Sequence, residues 1–154
     1  MKFTKPLLCA LLVSSLSAPV YAAPNNWGES DNMSAIEEKI EAKDYHSAIA
    51  DLKSLVVDDA KNADAYNLLG FTHRKLKYYD IAEEYYHMAL NLEPEHKGAL
   101  EYLGELYVET GRMDKANEML VKLDKACFLS CEEYRTLKDM IDKKEKGLEV
   151  SSKW

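Results

Sequence analysis

The chain has no excess of basic side chains. Its 20 Lys and Arg stand against 27 Asp and Glu, a formal charge of −7 over 154 residues. Phosphate backbones are gripped through Lys and Arg, so this balance argues against nucleic acid and against anionic lipid as partners. A Gly-rich phosphate loop, a nucleophile elbow and a zinc-binding helix motif are also missing. His46, His73, His87 and His96 show no ligand spacing, and the carboxylates follow helix surfaces. No enzyme, metal site or cofactor is therefore expected. Cysteine is scarce: Cys9, Cys127 and Cys131. After Val20 no apolar stretch is long enough to cross a bilayer.

Residues 1–22 read as an export signal. Met1 to Lys5 is short and positive, and Pro6 to Val20 is apolar or small. Val20-Tyr21-Ala22 suits a signal peptidase, with cleavage after Ala22. That cut removes Lys2 and Lys5 and no acids, so the charge moves from −7 to −9 over the remaining 132 residues. The expected location is outside the cytoplasm, the periplasm first, with no membrane insertion once the signal is gone. Residues 23–32 read as a linker with little to bury.

What the chain does have is a period. Ala48, Ala82 and Ala116 stand 34 residues apart, as do Tyr45, Tyr79 and Met113 upstream and Leu52, Tyr86 and Leu120 downstream. Tyr66-Leu69-Gly70-His73 recurs as Leu100-Leu103-Gly104-Tyr107. A fixed period of this size marks a stacked array of one helical unit. The repeats fall at about 33–62, 63–96 and 97–130, inside a repeat domain spanning 33–146. Ser34 with Glu37 reads as a capping box for the first helix. Pro94 ends the second unit, and Gly111 closes a helix as a C-terminal cap. Gly70, Gly104, Ala82 and Ala116 are expected to let the two helices of a hairpin approach closely. A last amphipathic helix, 131–146, is expected to cap the array, with Ser130 and Glu133 at its start. Residues 147–154 read as a frayed tail.

These residues resemble the tetratricopeptide repeat family. Tyr66, Leu69, Gly70, Ala82, Tyr86, Ala89 and Pro94 fall where that family's pattern places an aromatic, Leu, Gly, Ala, an aromatic, Ala and Pro. His73 departs from it, as do Leu123 and Phe128 in the third unit. The first unit keeps only its second half well. The end of the chain, from Leu123 through Cys131-Glu132-Glu133-Tyr134, is similar to that of small exported bacterial members. The resemblance implies an all-α solenoid of about three antiparallel helix pairs plus a C-terminal capping helix. It also implies a concave face, lined by the leading helices, that binds protein or peptide.

On that face the expected groove residues are Asp64, Asn67, Phe71, Arg74 and Lys75 of the second unit and Glu101, Glu105, Val108 and Glu109 of the third. Glu37 and Glu41 would come from the first. Phe71 is expected to be an exposed aromatic on the groove, a residue type that favours binding. Glu101, Glu105 and Glu109 recur every four residues, an acidic stripe whose self-repulsion a cationic ligand could offset. The expected partner is a peptide with a basic or mixed-charge segment. A clamp for a C-terminal carboxylate is not expected, because the third unit offers Gly98 and Tyr102 where cations would be needed. Self-assembly is the alternative, since the abbreviated first hairpin leaves one end of the stack incomplete.

Cys127 and Cys131 form an even pair in a compartment that permits disulfides. A helix start between them would bend the chain enough to join them, which would set how the last helix leaves the array. A thiol-redox accessory role is a further alternative, though a redox-active pair more often has two intervening residues and this one has three.

Overall fold

The computed structural model describes residues 27–150, so the signal segment, residues 23–26 and residues 151–154 lie outside the described residues. Among the described residues seven helices follow one another: α1 (Trp27–Glu41), α2 (Tyr45–Asp58), α3 (Ala63–Lys75), α4 (Tyr79–Leu92), α5 (Lys97–Glu109), α6 (Met113–Ala126) and α7 (Glu132–Glu145). There is no strand among the described residues. The helices pair as three antiparallel hairpins, and α7 packs across α5 and α6.

Each hairpin turns at the same place in the period. Lys43, Lys77 and Gly111 stand 34 residues apart and take left-handed backbone, with φ of 60°, 64° and 75°. The next residue then donates its N–H to a carbonyl five back: Asp44 to Lys39 at 2.9 Å, Tyr78 to His73 at 2.9 Å, Arg112 to Tyr107 at 2.7 Å. This closure satisfies carbonyls that the helix end would leave unpaired. Gly111 caps its helix as expected, and two lysines do the same work at a steric cost glycine avoids.

The connections between hairpins explain where the expected caps fail. Residues 59–62 and 93–96 are four-residue links ending in a side-chain cap. Asn62 accepts from the Ala65 N–H at 2.8 Å, and His96 accepts through Nδ1 from the Ala99 N–H at 3.2 Å. The third link, 127–131, is one residue longer. Leu129 and Ser130 absorb the extra residue in left-handed conformations, φ 61° and 60°. Ser130 is thereby removed from the cap position, which falls to Cys131 without a side-chain bond.

The N-terminal boundary also moves. The helix starts at Trp27, so Ser34 lies within α1 and the expected linker is helical from residue 27. No proline interrupts 27–41, so the sequence lets the helix run through the stretch expected to be a linker.

Two apolar clusters form the core. Ile36, Ala48, Leu52, Leu55, Ala65 and Leu69 hold the N-terminal end, and a larger set from Ala82 to Ile141 holds the rest. Gly70 lets α4 close on α3: an added Cβ would lie 2.6 Å from the Tyr86 ring. Gly104 differs from expectation. Its missing side chain makes room for Leu137 of α7, not for the returning helix of its own hairpin. The cap helix buries Leu137, Met140 and Ile141. The tail is ordered further than expected, since Gly147 at φ 67° closes α7 and Val150 packs on the larger cluster.

Candidate functional site

Helical spacing on α3 places Phe71, Arg74 and Lys75 along one side, next to Tyr102, Glu105 and Glu109 of α5. Arg74 bridges the two helices. It donates from Nη2 to Glu105 Oε2 at 2.6 Å and from Nη1 to Glu109 Oε1 at 2.5 Å. The Arg74 and Glu105 side chains are each 1% exposed, and Glu109 is partly open. The guanidinium carbon lies 5.7 Å from the centroids of both Phe71 and Tyr102, within reach of a cation–π attraction. Burial opposes the charge on Arg74, but Tyr86, Glu105 and Glu109 outweigh it and hold its pKa above the ordinary value. Burial raises the Glu105 carboxyl, and Arg74 offsets part of that rise.

Three groove expectations are corrected here. Phe71 is only 4% exposed, because Tyr102 from the next leading helix lies against it with ring centroids 5.1 Å apart. Val108 is fully buried in the larger core cluster and offers the groove nothing. The acidic stripe is not a free surface. Arg74 already pairs with both Glu105 and Glu109, the service a cationic ligand was expected to provide. Glu101, the third member, is half-buried near α7. Its carboxyl is pushed up to about 8, by burial first and then by Glu105 and Glu133, with the Thr136 hydroxyl acting the other way.

The remaining expected residues divide. Asp64 is exposed and meets His96 Nε2 at 3.0 Å, pinning one repeat to the next. Asn67 is buried, and its amide lies beside Gly98. Lys75 is half-buried, with its ammonium 5.7 Å from the Phe71 centroid.

Two cavities lie along the leading helices. One of about 350 Å³ is lined by Glu37, Ile40, Glu41, Lys43, Tyr45, Leu68, Phe71 and Tyr102. Its floor is aliphatic and aromatic, and Glu37 and Glu41 stand exposed at its edge. The other, about 630 Å³, lies between α5 and α7 and is charged, with Glu105, Glu132, Arg135, Asp139 and Lys143 among its walls. Leu68 escaped the sequence reading, and Tyr102 was weighed only as a missing clamp cation, although the two stand 34 residues apart. That shared register was the available signal for a second groove position per repeat. Tyr45 was read only as a member of the 34-residue period.

Cys127 and Cys131 come together across the third link, with Cα atoms 5.4 Å apart, a separation that suits a disulfide. Phe128 and Leu129 stand between them, 91% and 84% exposed.

This is the all-α tetratricopeptide-type solenoid, and residues 63–96 match the tetratricopeptide repeat family model. The uncharacterized protein ycf37 of Guillardia theta is 35% identical over 61 residues, which cover 40% of this chain and 34% of that one, so the match spans about a third of the relative's length. Among solved structures, the Yersinia enterocolitica type III secretion chaperone SycD, in complex with a peptide of the translocator YopD, superposes with a TM-score of 0.66. It is 15% identical, covering 78% of this chain and 91% of that one. The TPR2B domain of yeast Sti1, in its pHsp70 complex, gives a TM-score of 0.66 at 13% identity, covering 77% of this chain and 96% of the other.

Proposed function

We propose that this chain is an exported, non-enzymatic interaction module that holds a peptide or protein segment in its concave groove. The observation that carries the reading is the apolar cavity between α1, α3 and α5. Ile40, Leu68, Phe71 and Tyr102 form a pre-built floor, and Glu37 and Glu41 supply an acidic edge. Ligand sites share this plan of an apolar floor with a few polar groups that set orientation. The preferred segment carries an aliphatic or aromatic anchor next to Lys or Arg. The basic recognition expected of the third-repeat glutamates moves to Glu37 and Glu41, since Arg74 occupies Glu105 and Glu109. The structural neighbours complexed with peptide or protein ligands support the class of activity. The export signal over residues 1–22 and the cysteine pair together support a compartment outside the cytoplasm, where Cys127 and Cys131 would be joined.

Fluorescence anisotropy with a library of apolar–basic peptides tests the groove. Glu37→Gln with Glu41→Gln is expected to weaken basic binders about tenfold. Glu109→Gln is expected to leave them unchanged. An unaltered affinity in the double variant rejects this reading of the groove. Intact mass of the exported protein tests the rest: loss of residues 1–22 and of two hydrogens is expected, and two free thiols would remove the disulfide.

A further inference from the structure

Phe128 and Leu129 are 91% and 84% exposed, and no other large apolar side chain among the described residues is exposed beyond Val57 at 82%. Two such side chains at adjacent positions are costly to leave in water. They are also held in place. Cys127 is buried in the core cluster, Cys131 packs on it, and left-handed Leu129 and Ser130 shape the loop between. The extra residue that lengthens this link is what carries the pair outward. In the other two links the stretch is polar, Asp59-Ala60-Lys61-Asn62 and Glu93-Pro94-Glu95-His96.

We infer that this tip docks into the apolar cavity of a second copy of the chain. The cavity offers the matching chemistry: Ile40, Leu68, Phe71 and Tyr102 for the two apolar side chains. The charges also match. Lys122 and Lys125 outnumber Asp124 among the exposed charges of α6 just before the tip, and Glu37 and Glu41 outnumber Lys43 at the cavity edge. The tip belongs to the C-terminal end of the stack and the cavity to the N-terminal end, so the contact is between molecules. The two surfaces differ, so the contact is heterologous and continues beyond a dimer unless it closes into a ring. A lipid surface is the poorer occupant, because a net charge of −7 opposes approach to anionic bilayers.

The inference rests on the same cavity as the proposed function, yet the two fail separately: a peptide can fill the cavity in a chain that never self-associates. Sedimentation velocity across a wide concentration range, on the chain lacking residues 1–22, is the test. Concentration-dependent association is expected. Phe128→Ser with Leu129→Ser should weaken it at least about tenfold while leaving helical content unchanged, because both side chains face solvent. Glu41→Lys or Lys125→Glu alone should weaken it, and the two together should restore it. A peptide that binds the cavity should compete. A monomer at every concentration overturns the inference, as does association unaffected by the Phe128/Leu129 change. Pelleting of a monomeric chain with phosphatidylcholine vesicles through Phe128 also overturns it, and makes the tip a lipid anchor.

Discussion

Arg74 lies at the centre of the groove and is not available to a ligand. Its guanidinium is held by two carboxylates and flanked by two rings, all from neighbouring turns of α3 and α5. Removing it leaves Glu105 buried without a counter-charge. Arg74→Met is therefore expected to lose about 3–5 kcal/mol by urea unfolding. Arg74→Met with Glu105→Leu should recover much of that loss, because an apolar pair replaces the ions. If the double variant is as unstable as the single one, packing and not charge is what Arg74 supplies. Glu101 gives a second residue-level test. Below its ordinary value of 4.5 the carboxyl is protonated in the folded and unfolded chain alike. Between 4.5 and about 8 the unfolded chain ionises it while the folded chain keeps the proton. Folded protein then binds more protons, so stability falls as pH rises through that window and levels off above it. Glu101→Gln removes the loss. A gain on the order of 1–2 kcal/mol at the top of the window is expected after allowing for solvent screening of a half-buried group, and none at acid pH. An equal gain at every pH would show that the substitution acts through packing and not through the ionisation of Glu101.

The hairpin turn is the element that repeats most faithfully. A lysine with positive φ is strained where glycine is not, so Lys77→Gly is expected to stabilise the chain by about 0.5–1 kcal/mol, net of glycine's greater unfolded-state freedom. Gly111→Lys should cost about as much, since nothing crowds its Cβ position and only the backbone objects. Thermal unfolding of the two variants checks the pair, and opposite signs are required. The register of these turns was legible in the 34-residue spacing, as were α2 through α6 and the buried face of α7. That is because a sequence period reports contacts made inside each unit. What the period could not report is how units sit on one another. Phe71 was read as exposed because its own helix leaves it outward, and Tyr102 of the next unit covers it. Gly104 was read as serving its own hairpin, and Leu137 of α7 fills the space. The single added residue between Cys127 and Cys131 breaks the register locally, which is why Ser130 was misplaced as a cap. Exposure of Phe128 and Leu129 was equally out of reach, since it depends on that added residue.

A stack of repeats holds together through neighbours, so its ends are weaker than its middle. Here the asymmetry is marked. The first hairpin shares a small cluster in which Ile36 is the only α1 residue buried outright among those whose side chains are described, while α5, α6 and α7 share the larger one. Local opening follows the number of buried apolar contacts, so α1 should exchange its amide hydrogens fastest among the helices and α5 slowest. The candidate groove straddles this gradient. Ile40, Glu37 and Glu41 come from the weak end, and Tyr102, which packs on the larger cluster, from the strong one. A ligand bound there must hold α1 against α3 and so stabilises the end of the stack that opens most readily. Hydrogen exchange by mass spectrometry therefore doubles as a binding assay. An apolar–basic peptide in the cavity should slow exchange across 36–45 and leave 132–145 unaltered. A ligand seated in the charged cavity between α5 and α7 would instead protect 132–145. Protection there without protection of α1 would move the site to the C-terminal half of the concave face.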